Sequence, residues 1–524
     1  MKVTIAGFNI DQSLIEKLPK DTIATPETIS AAYARISRDP RDVPDLRAEA
    51  REQVEKARRS NKAIVFGMSH HSVAEHAYFN FDILGISRLA LEELEARRIG
   101  AAYTEKSQRY ITLQGDFVIP AEFNVKDKNA FRELVAFQND FYLRNLGKLT
   151  DYQFTSNPKL SEKARIATEN GTSDRINSAK NTLEGWAKED ARYALSLATQ
   201  AQLGLSFNAR TLEHAIRTMR HSELSETREL SQKLFNVTKD VAPSLIILTD
   251  PDEFRKAFKK ELLDNNFKHT RRNLRKYVAE LIKKFYGDMM EDLPEIMESE
   301  YEKLIKSNEV DLNIASAIIH NSSKLPIEDA FRLASVILAD EIIGIEFFAE
   351  TMKFISAFDS LPREFEFTGE LKFELVVSAS NFAQLKRHRL MTILAQDYDP
   401  SLGITIPPSI KAIGAEDELL DVCRRSEELY FEFLPSYGKA AVYCLTNAHR
   451  RRVLVTANPR ELYHFSRLRE DEHAQWDIKA TAGNMMNLAK KVAPLSFILS
   501  GGKDQFEKMK NRNRDAKMYR NTRR

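Results

Sequence analysis

Two clusters of polar residues in this sequence have the types and spacing to do chemistry. The first runs from His70 to Tyr110, opening with His70, His71 and the acid-histidine pair Glu75-His76 and closing with Ser107, Gln108, Arg109 and Tyr110 on an expected loop. The second is Gln384 with Arg387-His388-Arg389, joined by Arg469 and His473, which are spaced to share one helix face. Gln384 lies one helical turn before Arg387 on that residue's face. Several arginines facing one cleft suit a phosphate, because the guanidinium fork stays charged and binds oxyanions through paired donors. Taken alone, the Arg387-His388-Arg389 triplet also reads as cations placed at the negative end of a helix dipole. Ser107 reads as a binding group, because no histidine lies near it in sequence to activate it.

The elements that must position these residues follow from periodicity. The opening MKVTIAGF reads as a strand, Pro26 to Ser37 as a helix capped by Thr25, and Asp45 to Arg59 as one charged helix. Tyr78 to Ile83 alternates like a half-buried strand, and a helix is expected from Ile86 to Arg98. Further helices are expected from Asp127 to Leu149 and from Trp186 to Gln202, the latter carrying Arg192; Lys159 to Ser173 is polar and unassigned. Asn208 is a helix cap for the periodic Leu212, Ala215, Ile216 and Met219. A charged helical connector is expected from 251 to 307, and a basic, solvated tail from 503 to 524.

Composition limits the function classes. A chain of 524 residues, 43% hydrophobic and 29% charged, has ample core for at least two domains. With 78 Lys+Arg against 76 Asp+Glu, a net charge of +2 argues against a protein dedicated to nucleic acid. The two cysteines, Cys423 and Cys444, fit a reducing compartment and buried, hydrophobe-like thiols. No apolar run approaches the roughly 18 residues of a membrane span, and the N-terminus reads as a strand instead of a signal peptide, so a cytoplasmic protein is expected.

An internal repeat organises the chain. Glu75 to Ala96 and Glu366 to Arg387 each begin with an acid, pass through an alternating strand and reach a helix, at the same spacing. NARTLEH at 208–214 is echoed by NPRELYH at 458–464, and VAPSLI at 241 by VAPLSF at 492. Three ordered echoes imply duplication. The expected domains are a first copy at 1–250, the connector with the start of the second copy at 251–307, the second copy at 308–502, and the tail.

These residues resemble flavin-dependent thymidylate synthase. The resemblance rests on H-x-S-x-x-E-H from His70, G-I-S-R followed by S-Q-R-Y in the first half, and the RHR triplet with N-x-R-x-L-x-H…L-R…H-A-Q-W in the second. It implies an α+β, helix-rich fold of two tandem copies, each with helices around an antiparallel sheet. It also implies FAD as cofactor, NADPH and methylenetetrahydrofolate as cosubstrates, dUMP as substrate, and a homodimer imitating a tetramer whose active sites lie between subunits.

Neither half keeps the whole pattern. The first keeps His70, Glu75, Glu105, Ser107, Gln108, Arg109 and the mid-chain Arg192, but has Ala96 where the first RHR arginine belongs and Met219 at or next to the late arginine position. The second keeps Gln384, Arg387, His388, Arg389, Asn458, Arg460, His464, Arg469 and His473, but has Leu361 and Phe367 for histidines, Asp397 and Asp399 in the S-x-R-Y loop, and Val442 for the mid-chain arginine. Aspartates there repel a phosphate. By resemblance, Ser107, Gln108, Arg109, Arg192, Gln384 and Arg387 hold dUMP, and Arg469 is the catalytic residue facing its uracil. His70, Glu75, Glu105, Arg387, His388, Arg389, Asn458, Arg460, His464 and His473 hold FAD. Losses sorted this cleanly point to one composite site kept and its counterpart abandoned. The other reading is a degenerate flavin- or nucleotide-binding relative without turnover.

Overall fold

The computed structural model describes residues 1–10, 23–36, 39–67, 70–96, 99–108, 111–113, 115–220, 222–246, 302–306, 309–352 and 361–511. Among these, eight strands form two antiparallel sheets. β1 (Lys2–Phe8), β2 (Tyr78–Ser87), β3 (Ala101–Glu105) and β4 (Gln200–Asn208) lie in the order β1-β2-β4-β3. β5 (Glu302–Lys306), β6 (Leu371–Ser378), β7 (Thr392–Ala395) and β8 (Arg450–Ala457) lie in the order β5-β6-β8-β7. The two sheets share one plan, so the duplication read from short echoes extends to the topology.

The alternation in β2 has the expected cause. Phe79, Phe81 and Ile83 are buried while Tyr78, Asn80, Asp82 and Leu84 face outward, as period-2 geometry requires. At Gly85, with φ +74°, the register against β4 shifts by one residue, and Ile86 then returns to the core. Gly100, with φ +71°, is as necessary: a Cβ there would stand 2.3 Å from Asn208 Nδ2 and 2.5 Å from Thr211 Oγ1.

Helices follow the same plan. In the first copy α1 (Glu27–Arg35), α2 (Val43–Glu52) and α3 (Val54–Asn61) precede β2, and α4 (Arg88–Leu94) follows it. Between β3 and β4 come α5 (Val125–Ser156), α6 (Pro158–Glu169) and α7 (Ser178–Ala191), and after β4 come α8 (Ala209–Met219) and α9 (Ser225–Thr238). In the second copy α10 (Val310–Ser322), α11 (Ile327–Ala339) and α12 (Glu341–Thr351) precede β6, and α13 (Ala379–Leu385) follows it. α14 (Pro408–Ala412) and α15 (Glu416–Tyr437) precede β8; α16 (Pro459–Arg469) and α17 (Trp476–Val492) follow. The fold is α+β and rich in helix.

Several expected elements differ. The helix expected at 86–98 is α4 alone, because β2 runs on to Ser87. The span 45–59 is broken at Gln53 (φ −123°, ψ 60°) into α2 and α3. The unassigned 159–173 stretch is mostly α6, started by Pro158 at its first turn. α7 ends at Ala191, so Arg192 lies in a 3-10 turn and Gln200 opens β4. Of the expected connector helix, residues 302–306 are strand β5 paired with β6, and 251–300 lie outside the described residues. The tail is not wholly solvated: Phe506 is fully buried in the core of its sheet, and Arg467 lies 4.8 Å over its ring.

The residues divide into two compact units, Met1–Leu293 with Ser409–Thr446, and Pro294–Pro408 with Asn447–Arg524. The first is therefore discontinuous in sequence and holds α15. There Gln138 donates to Ser426 Oγ at 2.8 Å and to the Cys444 carbonyl at 2.9 Å, and Phe123 packs edge-on against Phe433. Ser196 and Thr446, the same position of the two copies, pair with each other in an antiparallel bridge, and Leu197 N–H donates to the Leu445 carbonyl at 3.0 Å. Both cysteines are buried as expected, and burial pushes the Cys423 thiol up to about 12. No helix among the described residues is long and apolar enough to cross a membrane.

Candidate active site

Four helix caps fix how the copies correspond. Ser87 Oγ accepts from Ala90 N–H at the start of α4, and Ser378 Oγ from Asn381 N–H at the start of α13, both at 3.0 Å. Asn208 Oδ1 accepts from Thr211 N–H (2.8 Å) and Asn458 Oδ1 from Glu461 N–H (3.0 Å). Counting from these caps sets Glu93 opposite Gln384, Ala96 opposite Arg387 and Met219 opposite Arg469. The matching 3-10 turns set Arg192 opposite Val442. The pattern of kept and lost residues thus has a structural register beneath it.

In the second unit three of the kept residues, Gln384, His388 and Arg469, meet. Arg469, at the last turn of α16, donates from Nε to His388 Nε2 at 3.0 Å, and reaches Gln384 Oε1 at 3.5 Å and the Gln384 carbonyl at 3.3 Å. Gln384 Nε2 in turn donates to Gln475 Oε1 at 3.2 Å. His388 is 3% exposed and packs edge-on against Phe465, whereas Arg387 and Arg389 on either side of it are exposed. Asn458 is spent on its cap. Arg460 donates to the Leu361 carbonyl and to Glu366, each at 2.6 Å. His464 is exposed, and His473 is exposed beside Glu472.

In the first unit the expected residues are dispersed over several elements. Glu75 is paired with Arg210 at 2.5 Å, the counterpart of the Glu366–Arg460 pair. His70 is exposed ahead of the 3-10 turn at 71–76, and Glu105 ends β3. Ser107 and Gln108 are half-buried beyond it, Arg192 is buried, and Arg109 lies outside the described residues.

The altered loop of the second copy has acquired a structural role. Arg451 Nε donates to the Gln396 carbonyl at 2.7 Å, and its guanidinium lies 4.1 Å over the Tyr398 ring and 4.7 Å over Phe382. Arg450 Nε donates to Thr405 Oγ1 at 2.9 Å, and Asp399 N–H donates to the Arg450 carbonyl at 3.1 Å. Asp399 Oδ1 accepts from Ser401 N–H at 2.9 Å. Arg451→Ala is expected to lower stability by about 2–3 kcal/mol, from one charged hydrogen bond and two ring contacts, seen as a lower denaturation midpoint with nucleotide affinity unchanged.

Buried carboxyls are the features sequence reasoning missed. Glu461 is 4% exposed, its Oε1 stands 3.6 Å from His388 Nδ1, and burial pushes it up to about 7 against the pull of Arg460 and the Leu390 N–H. Its N3 position after the Asn458 cap reads in sequence as half of a capping box, which conceals its burial beside His388. Glu213 on α8 is likewise buried and pushed up to about 7 by desolvation, with Arg217 at 3.8 Å opposing the shift. A carboxyl raised on folding holds its proton in the native state while the unfolded chain has released it. Its contribution is lost as pH rises from 4.5 to about 7, by about 3 kcal/mol. Glu213→Gln is expected to remove that share of the fall in urea midpoint between pH 5 and pH 8.

The model for the family described as thymidylate synthase complementing protein matches residues 17–244 and 363–495, one segment in each copy. The chain belongs to this family. Among relatives, UPF0159 protein Ta1429 of Thermoplasma acidophilum is 24% identical over 482 residues, covering 86% of this chain and 90% of its own length. The flavin-dependent thymidylate synthase of Clostridium tetani is 28% identical over 233 residues, 43% of this chain and 83% of its own length. That of Sulfolobus acidocaldarius is 35% identical over 127 residues, 22% of this chain and 48% of its own. A solved structure, Thymidylate Synthase X from Helicobacter pylori with FAD and dUMP, aligns with 47% of this chain and 99% of its own at 19% identity and a TM-score of 0.26.

Proposed function

We propose that this family member is a flavin-dependent thymidylate synthase that makes dTMP from dUMP with methylenetetrahydrofolate and NADPH. The observation that supports the reading is the sorted retention: the positions lost in one copy are held in the other. The same sorting supports a composite site, with Ser107, Gln108, Arg109 and Arg192 from the first copy and Gln384, Arg387 and Arg469 from the second. The remaining expectations, a homodimer and a cytoplasmic location, belong to the same proposal.

The second-unit residues fit an anionic dinucleotide. Arg387 and Arg389 present two permanent cations at the surface on either side of a buried imidazole, which is what a pyrophosphate requires. Arg387, His388, Arg389, Arg460, His464 and His473 would hold FAD there, with Asn458 shaping the helix start and His70, Glu75 and Glu105 contributed by the first copy. When bound, FAD supplies the hydride chemistry. In this reading the Arg469 guanidinium, held by His388 and Gln384, faces the uracil and stabilises negative charge developing on its carbonyl. Ser107 and Gln108 orient the nucleotide.

The test is direct. Purified protein should be yellow and should oxidise NADPH in a dUMP-dependent way with dTMP formed from methylenetetrahydrofolate. Yellow protein that forms no dTMP supports the degenerate binding relative instead, and colourless protein without dUMP affinity excludes both.

A further inference from the structure

His388 presents a problem of proton placement. Its Nε2 faces Arg469 Nε at 3.0 Å, and arginine can only donate, so Nε2 must be the bare, accepting nitrogen. The ring proton then belongs on Nδ1, which faces Glu461 Oε1 at 3.6 Å. That carboxylate oxygen has no hydrogen bond among the described residues, while the Glu461 carboxyl also accepts from the Leu390 N–H just past the triplet. We infer that Glu461 is a positioning residue: its acidic side chain, facing Nδ1, favours the His388 tautomer that carries its proton there, so that Nε2 accepts from Arg469 and sets the angle of that guanidinium.

The first copy serves as an internal control. Thr211 stands where Glu461 stands, and its Oγ1 donates to the Ile99 carbonyl at 2.8 Å. By the α4–α13 register Ile99 corresponds to Leu390, so both copies pin the same loop position from the same helical position. A neutral hydroxyl suffices for that pinning. The copy with the carboxylate is the one that keeps Arg469; the copy with Thr211 has Met219 there instead. Charge at position 461 therefore accompanies the arginine, at the cost of burying a group that desolvation pushes up to about 7. Tautomer selection by a carboxylate on the far nitrogen is a general use of histidine.

The inference rests on the proposed role of Arg469, and its test separates the two. In the full chain carrying 15N-labelled histidine, with the signal assigned by His388→Asn, His388 should appear as one neutral species with its proton on Nδ1. Glu461→Gln keeps the side-chain volume and an acceptor for Leu390 but removes the charge. It should convert that signal to a tautomer mixture and lower dUMP-dependent NADPH oxidation roughly 10- to 100-fold, while the half-saturating dUMP concentration changes less than about threefold. Glu461→Thr, the residue type of the first copy, gives a second variant should the glutamine fold poorly. An unchanged His388 spectrum in a folded variant overturns the inference, and so does an altered spectrum with an unchanged rate. If the native protein makes no dTMP, the functional reading fails by itself and the spectra still decide the role of Glu461.

Discussion

Arg109→Ala and Arg387→Ala, made separately, are each expected to weaken dUMP binding by at least about 30-fold, although the residues belong to different copies of the repeat. If one phosphate is shared by arginines from both copies, removing either leaves part of the phosphate's charge unmatched. The loss from truncating a desolvated charge-assisted pair is roughly 2–5 kcal/mol, or about 30- to 5000-fold in affinity. Asp397→Ala and Asp399→Ala serve as controls, because their loop is stapled by Arg450 and Arg451 and so has another use. Affinities within about twofold of the native protein are expected for both controls by titration calorimetry. Undiminished dUMP binding in Arg109→Ala would show that the cross-copy site is wrong.

Local signals made parts of this molecule legible and long-range ones hid the rest. The β2 alternation and the Asn208 cap could be read because each depends on residues within one turn or one strand. The Trp186–Gln202 stretch misled for the opposite reason. It is rich in helix formers, but the backbone at Leu197 is claimed by the Leu445 carbonyl, a tertiary bond that outweighs helix propensity. β5 was concealed by its charge: Glu302 and Lys303 look like part of a solvated helix until pairing with Leu375 and Glu374 fixes them in a sheet. For the site, residue types and order were readable because the chemistry needs arginines and histidines at set spacings. Glu461 and Arg451 were not, because each acts through a partner distant in sequence, and a carboxylate after an asparagine cap has a simpler local explanation.

The duplication also predicts where the two copies differ in strength. In each, the serine that caps the helix after the second strand donates to a carboxylate near the start of a later helix: Ser87 to Glu226 and Ser378 to Asp477, both at 2.6 Å. Glu226 additionally accepts from the Ser87 N–H and from the Tyr443 hydroxyl, each at 2.7 Å, while Asp477 accepts from Asn381 Nδ2 at 2.8 Å. Burial raises the Glu226 carboxyl despite these donors, and burial with the Glu226 charge pushes the Tyr443 phenol well up, so Tyr443 stays a donor. Glu226→Ala strands three buried donors and opens a void, which is expected to cost about 4 kcal/mol or more. Asp477→Ala strands two donors and removes a smaller side chain, so about 2–3 kcal/mol is expected. Urea unfolding followed separately in the two units should rank the variants in that order. A Glu226→Ala loss below about 1 kcal/mol would mean that water reaches Ser87 and Tyr443. In that case the carboxylate only neutralises a solvated cap, and the matching serine-carboxylate pairs would be a relic of the duplication with no present share in holding β2 and β6 to their helices.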